Sequence, residues 1–350
     1  MKVSANNSLL SELQEKLEAI YPSIEFGYSS GSSVNEEVHS SGLEFMVSQS
    51  ALEGTSYNIG NHRSFIHYTS IEALTNILNS QSLKLFSLNS MNDPYEFNAL
   101  IKKFELAIDN NVIDLFKRAL FVSSFCRYDE AEKDDFNMWR LYGKDGAGVG
   151  IVFEIVNENI DWKTFIIGKV DYDSKSLNNQ RLKQAISLIN HYVKEKGLVL
   201  DRVPSLIGLF LSLYKNEIWR LENEYRLLSF YEYNPTCFTD ISVDNQIAKS
   251  TANYHFKSNG RESASIDFPL ISNLEKVLRT TYMSSYKEDV LEYEIKSYPN
   301  IRIKEIIVGY QVPESVYKDL MDFLIRFTIN KLPSMPNIKV SQSHIKNWFE

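Results

Sequence analysis

The chain has 350 residues, 43% hydrophobic, 23% charged and 13% aromatic, with 20 Tyr and 20 Phe, which is a globular composition unusually rich in rings. Its formal net charge of -8 and the lack of a long basic run exclude wholesale binding to nucleic-acid backbone, so nucleic acid is expected at most as an acceptor. Two distant cysteines, Cys126 and Cys237, exclude a disulfide framework or a zinc knuckle; with no apolar core of secretory length at the start and no apolar run of about 18 residues, the expectation is a cytoplasmic protein that does not span a membrane.

Residues 8–21 (SLLSELQEKLEAIY) place Leu9, Leu10, Leu13, Leu17 and Ile20 on one helical face, and a Ser/Gly-rich stretch, GYSSGSSVNEEVHSSG, follows at 27–42. Residues 1–60 therefore read as an N-terminal helix and a loose segment, and 61–350 as a single α+β domain. The apolar face of residues 8–21 has two candidate occupants, the main body of the chain or a protein partner.

FIHYT at 65–69 reads as a short strand, after which Thr69 is expected to cap a helix that buries Ile71, Leu74, Ile77 and Leu78, with Glu72 three residues beyond the cap. SLKLFSL at 82–88 alternates like a strand, and in NDPYEF Asp93 and Pro94 mark a second helix start leading to Leu100, Ile101 and Phe104. Strands follow at FVSSFCR (121–127), GVGIVFEI (148–155) and FIIGKVDYD (165–173), with a short helix, DDFNMWRLYG, at 134–143. Residues 175–221 read as two helices separated near Pro204, and ENEYRLLSFYEY as an aromatic-rich strand from Glu222. Beyond it only IRIKEIIVGY (301–310), the helix VPESVYKDLMDFLIRF and a last strand, NIKVSQSHI, have clear patterns. Helices and strands mix without regular alternation, which favours α+β over a doubly wound sheet.

Polar groups interrupt these apolar strands at His67, at Ser123 and Ser124, and at Glu222 and Glu224. Two carboxylates two residues apart on one strand face repel each other and suit a site for hydroxyls or a cation. The alternative is that Glu222 ends the preceding helix and Glu224 pairs with Arg226. His67 taken alone reads as a half-buried histidine donating to a backbone carbonyl; the helix start behind it adds backbone N–H groups that attract oxygens. Trp139 reads as core, and Tyr142, beside Gly143, as a ring that either packs or reaches over a cleft. GAGVG precedes a strand, which excludes a dinucleotide fingerprint; no Gly-x-Ser-x-Gly elbow supports Ser123 or Ser124 as a nucleophile, and no metal is expected from the scattered histidines.

The ordered set HYTSIEALTNIL, NDPYE, SSFC, MWRLYG, GVGIVF, IWRLENEYRLL and EIIVG resembles the bacterial domain-of-unknown-function 2971 family over roughly residues 64 to 345. That family in turn resembles the ADP-ribosyltransferase fold, which implies a split mixed or antiparallel β-sheet core flanked by helices and NAD as substrate. On that resemblance His67 would bond a ribose hydroxyl, Tyr68 would hold the nicotinamide amide through its backbone, and Thr69 and Ser124 would line the pocket. Tyr142 would stack on the nicotinamide, and Glu224 would be the catalytic acid. Glu222 would be the first acid of an E-x-E pair, although the first strand here carries histidine where arginine usually accompanies that pair. The resemblance implies a mono-ADP-ribosyltransferase or NAD-cleaving effector of bacterial conflict or phage defence. The alternative is a non-catalytic module that senses a nucleotide or binds a protein.

Overall fold

The computed structural model describes every residue except 1, 22–26, 33–38, 45–47, 91–94, 158–161, 163, 174, 201–204, 232–245, 257–261, 282–287, 332–337 and 349–350. In chain order the elements are α1 (Lys2–Ile20), β1 (Gly27–Ser32), β2 (His39–Glu44), β3 (Ser64–Thr69), α2 (Ile71–Ser80), β4 (Ser82–Ser87), α3 (Tyr95–Lys103), α4 (Asn110–Ala119), β5 (Leu120–Arg127) and α5 (Phe136–Tyr142). They continue with β6 (Val149–Ile155), β7 (Phe165–Lys169), α6 (Leu177–Lys194), α7 (Ser205–Ser212), a 3-10 turn at Glu217–Glu222, β8 (Glu224–Phe230), α8 (Gln246–Thr251), β9 (Asn253–Phe256) and β10 (Glu262–Pro269). The last are α9 (Ile271–Thr281), α10 (Glu288–Lys296), β11 (Ile301–Val308), α11 (Glu314–Lys331) and β12 (Lys339–Gln342).

The result is an α+β architecture around one mixed sheet. Its order is β12-β11-β6-β3-β5-β4-β10-β9, with β8 on the other edge of β5 and β7 beyond β8. On one side α2, α9 and α11 pack over Phe65, Phe121, Phe125 and Leu227; on the other, α1, α3, α4, α6 and α7 pack over Leu120, Val122 and Leu228. A central strand covered on both faces should be apolar throughout. β5 and β8 obey this except where serine and charge break the run.

The register of β5 explains the most consequential feature of the sheet. β3 pairs with β5 at Phe65↔Arg127 and Ile66↔Cys126, and β4 pairs with the same edge at Phe86↔Val122 and Ser87↔Phe121. Continued inward, both registers bring a residue to Ser124, Tyr68 from β3 and Lys84 from β4. One edge cannot take two strands, so β3 and β4 diverge and the sheet forks. The opposite edge of β5 stays paired with β8 along its length, from Leu120↔Phe230 to Cys126↔Glu224.

Several expectations change here. The cap of α2 is Ser70, whose hydroxyl accepts from the Ala73 N–H at 3.1 Å, and not Thr69, which is still the last residue of β3. The Asp93–Pro94 helix start lies outside the described residues. The apolar face of residues 8–21 is covered within the chain, since Leu10, Leu13 and Leu17 are fully buried in the core that includes Leu182, Ile186 and Ile189 of α6. That removes the face as a free surface for a protein partner. The Ser/Gly-rich stretch read as loose contains the antiparallel pair β1–β2. In GAGVG, Gly148 serves close backbone packing: a Cβ there would lie 2.2 Å from the Thr69 carbonyl oxygen. No helix among the described residues is long and apolar enough to cross a membrane.

Candidate functional site

The fork opens a cleft of about 970 Å³ floored by β5 and walled by β3, α2, β4 and the start of β8. Backbone direction can be followed from the pairing. The Ser64 carbonyl accepts from the Tyr128 N–H, on the side of β3 that faces β5. Two residues per repeat then turn the N–H and C=O of Tyr68 to that same side, beyond the point where β5 has departed. By the same alternation Ser124 turns its backbone into the fork, and its carbonyl is taken by His67 Nδ1 at 2.9 Å.

That hydrogen bond defines the histidine. Donation from Nδ1–H to a carbonyl leaves Nε2 as an acceptor in the neutral ring. Burial lowers the pKa of His67 below its usual value, against the Ser124 carbonyl, which favours the charged form. The neutral form therefore faces the cleft at physiological pH, with the ring edge-on to Phe125 at 5.8 Å.

Glu224 meets His67 through the same serine. Its Oε1 accepts from Ser124 Oγ at 2.6 Å and from Arg226 Nε at 2.8 Å, and its Oε2 from Arg226 Nη2 at 3.0 Å and Lys215 Nζ at 3.3 Å. Lys215 also donates to Glu222 Oε2 at 2.6 Å, and Tyr142 donates to Glu222 Oε1 at 2.6 Å. Two carboxylates and two cations thus form one buried network. Burial alone would raise the Glu224 pKa, but the charges of Arg226 and Lys215 and the bonds from Arg226 and Ser124 outweigh it and hold the carboxyl at about 2. Burial and donation to Glu222 push the Tyr142 phenol well above its usual range, so it stays a donor.

The linkage has a definite sign. A carboxyl at about 2 in the folded chain and at its ordinary 4.5 when unfolded adds stability above 4.5, and that stability is lost as pH falls through about 2. The difference corresponds to about 3 kcal/mol. Urea midpoints taken from neutral pH downwards should fall more steeply for the wild type than for Glu224→Gln; parallel curves would contradict the assignment.

Residues 138–227 match the model of a family described as a protein of unknown function (DUF2971). The chain resembles the DUF2971 family. Neither a curated protein nor a solved structure matches it. The DUF2971 match runs from α5 into β8, so it contains Tyr142, Lys215, Glu222, Glu224 and Arg226 but not His67 or Ser124. It covers the charged end of the cleft and is shorter than the stretch from 64 to 345 read from the motifs.

Of the residues expected at a site, His67, Tyr68, Thr69, Ser124, Tyr142, Glu222 and Glu224 all line this cleft. One arrives differently from the expectation. Glu222 is not on the strand face of Glu224: it ends the 3-10 turn, and Asn223, in the left-handed region at φ 41°, reverses the chain before β8 begins. The two acids converge because that turn folds back onto Lys215, and Glu224 pairs with Arg226 as the alternative reading had it. The Tyr68 side chain packs edge-on against the buried Trp139 at 4.9 Å, with its oxygen accepting from the Asp135 N–H, and the expectation called only on its backbone. Sequence reasoning missed Lys215. It follows the apolar run SLIGLFLSLY, where a lysine reads as a helix end in solvent, and nothing local signals the turn that buries it.

Proposed function

We propose that the cleft binds NAD and that the chain breaks its nicotinamide–ribose bond, as an ADP-ribosyltransferase-like mono-ADP-ribosyltransferase or NAD-cleaving effector. The observation that carries this reading is the junction at Ser124 in the forked sheet: its carbonyl orients a neutral His67 and its hydroxyl an ionised Glu224.

These groups suit the chemistry. When the bond to nicotinamide breaks, the leaving group takes the electron pair and the ribose carbon becomes cation-like. A carboxylate accepting from a neighbouring ribose hydroxyl strengthens that bond as the charge grows. Glu224 is ionised and fixed in place for this role, and His67 Nε2 is an acceptor for a second hydroxyl. The acceptor, water or a nucleophilic group on a second molecule, forms the new bond and releases its proton. The Tyr68 N–H and C=O face the same space and match the paired donor and acceptor of the nicotinamide amide.

A second reading has its own observation. Both oxygens of Glu224 already accept bonds from Ser124, Arg226 and Lys215, which suits a cleft that senses a nucleotide without cleaving it. Incubating the purified chain with NAD carrying labelled nicotinamide separates the two. Release of label, with cell lysate as a source of acceptor, supports cleavage; nucleotide binding with no release supports the sensing module and removes the catalytic reading.

A further inference from the structure

The charged end of the cleft is self-neutralised, because Lys215 and Arg226 are both engaged by Glu222 and Glu224. A ligand carrying phosphates therefore needs a cation elsewhere in the lining. Lys84 on β4 is exposed, lines the cleft and forms no ion pair among the described residues. Two residues on, Phe86 points to the same face and leaves 39% of its surface uncovered within the cleft wall. Directly across the strand pair from Lys84 stands Asp267 of β10, half-buried, whose carboxylate accepts no hydrogen bond from the described residues; burial raises its pKa and the charge of Lys84 opposes that. A cation, an open aromatic ring and a carboxylate thus occupy one wall of a cleft that Asn76 and Asn79 of α2 also line.

Sheet geometry fixes how this wall relates to Glu224. Phe86 pairs with Val122, Val122 with Leu228, and Ser124 with Arg226, so Phe86, Lys84, Ser124, Arg226 and Glu224 share one face. From Phe86 to Glu224 is two strand spacings across and four residues along, about 17 Å. That span fits a dinucleotide and exceeds a single nucleoside.

We infer that the β4–β10 wall is a second subsite, which takes the far half of a dinucleotide with its pyrophosphate on Lys84, its base on Phe86 and a donor of that half on Asp267. The inference rests on the nucleotide reading of the cleft and adds the direction in which the ligand lies: the reacting sugar at Glu224, the other nucleoside at β4. It calls for a free cation at this wall, because the cations at the Glu222–Glu224 end are already neutralised.

Binding of ADP, and of adenosine as the probe without phosphate, to the full chain tests it by titration calorimetry. Lys84→Met should weaken ADP about tenfold and leave adenosine unchanged, the effect of one charged phosphate contact. Phe86→Ala should weaken both by roughly tenfold, the effect of one lost stacking surface. Both side chains are exposed, so both variants should fold, and matching circular dichroism spectra check this. No binding of ADP to the wild type, or binding indifferent to both substitutions, overturns the inference. Lys84-dependent ADP binding in a chain that releases no nicotinamide keeps the subsite and removes the cleavage reaction. NAD cleavage with a KM untouched by Lys84→Met keeps the reaction and removes the subsite.

Discussion

Arg226→Met is expected to destabilise the fold by about 3–5 kcal/mol, the usual cost of breaking a buried ion pair from one side. The guanidinium donates twice to Glu224 and once to the Ser212 carbonyl at the end of α7, and methionine does neither. Glu224 would remain buried with Lys215 as its remaining cation, and Lys215 already serves Glu222. The penalty comes from the stranded charge, so removing that charge should recover part of it. Urea denaturation of Arg226→Met alone and together with Glu224→Gln measures this coupling. A single variant that loses under about 1 kcal/mol, or a double variant less stable than the single, would contradict the network as described.

Glu224→Gln is expected to reduce nicotinamide release from NAD by about 10²–10³-fold, the range for removal of one preorganised electrostatic group. Glutamine has the shape of glutamate, and its carbonyl oxygen can still accept from Ser124. The loss should therefore appear in kcat while NAD binding changes little, because the interaction strengthens only as the sugar becomes cation-like. Thermal melting run beside the assay separates this from unfolding. A variant that retains most of its turnover while folded would assign Glu224 to holding the sheet together.

β3, α2 and β4 were legible in the sequence because their periodicities switch cleanly from two to 3.6 and back, although the cap was displaced by one residue to Ser70. The polar interruptions at His67, Ser124 and Glu224 were legible as a possible site because each breaks an apolar strand. The fork itself was not, since it arises from two registers competing for Ser124 and neither has a local signature. β10 was also missed: it pairs with β4, some 180 residues upstream, and Ser263 and Ser265 are buried on the face where its alternation suggests solvent. Asp267 and the half-exposed Phe86 could be recognised as neighbours only after that pairing. The convergence of Glu222 and Glu224 was anticipated for the wrong geometric reason, a shared strand face, where a left-handed Asn223 and the return of the 3-10 turn to Lys215 produce it.

The proposed nucleotide site puts the reacting sugar at the Ser124 junction of the fork. A crystal structure of the full chain with NAD bound, in the Glu224→Gln variant to slow turnover, tests it most directly through the distances from the ribose hydroxyls to His67 Nε2 and to residue 224. Both are expected within hydrogen-bonding range, with the pyrophosphate running toward Lys84; NAD seated outside the fork, or a fork that stays empty at saturating NAD, would contradict that placement.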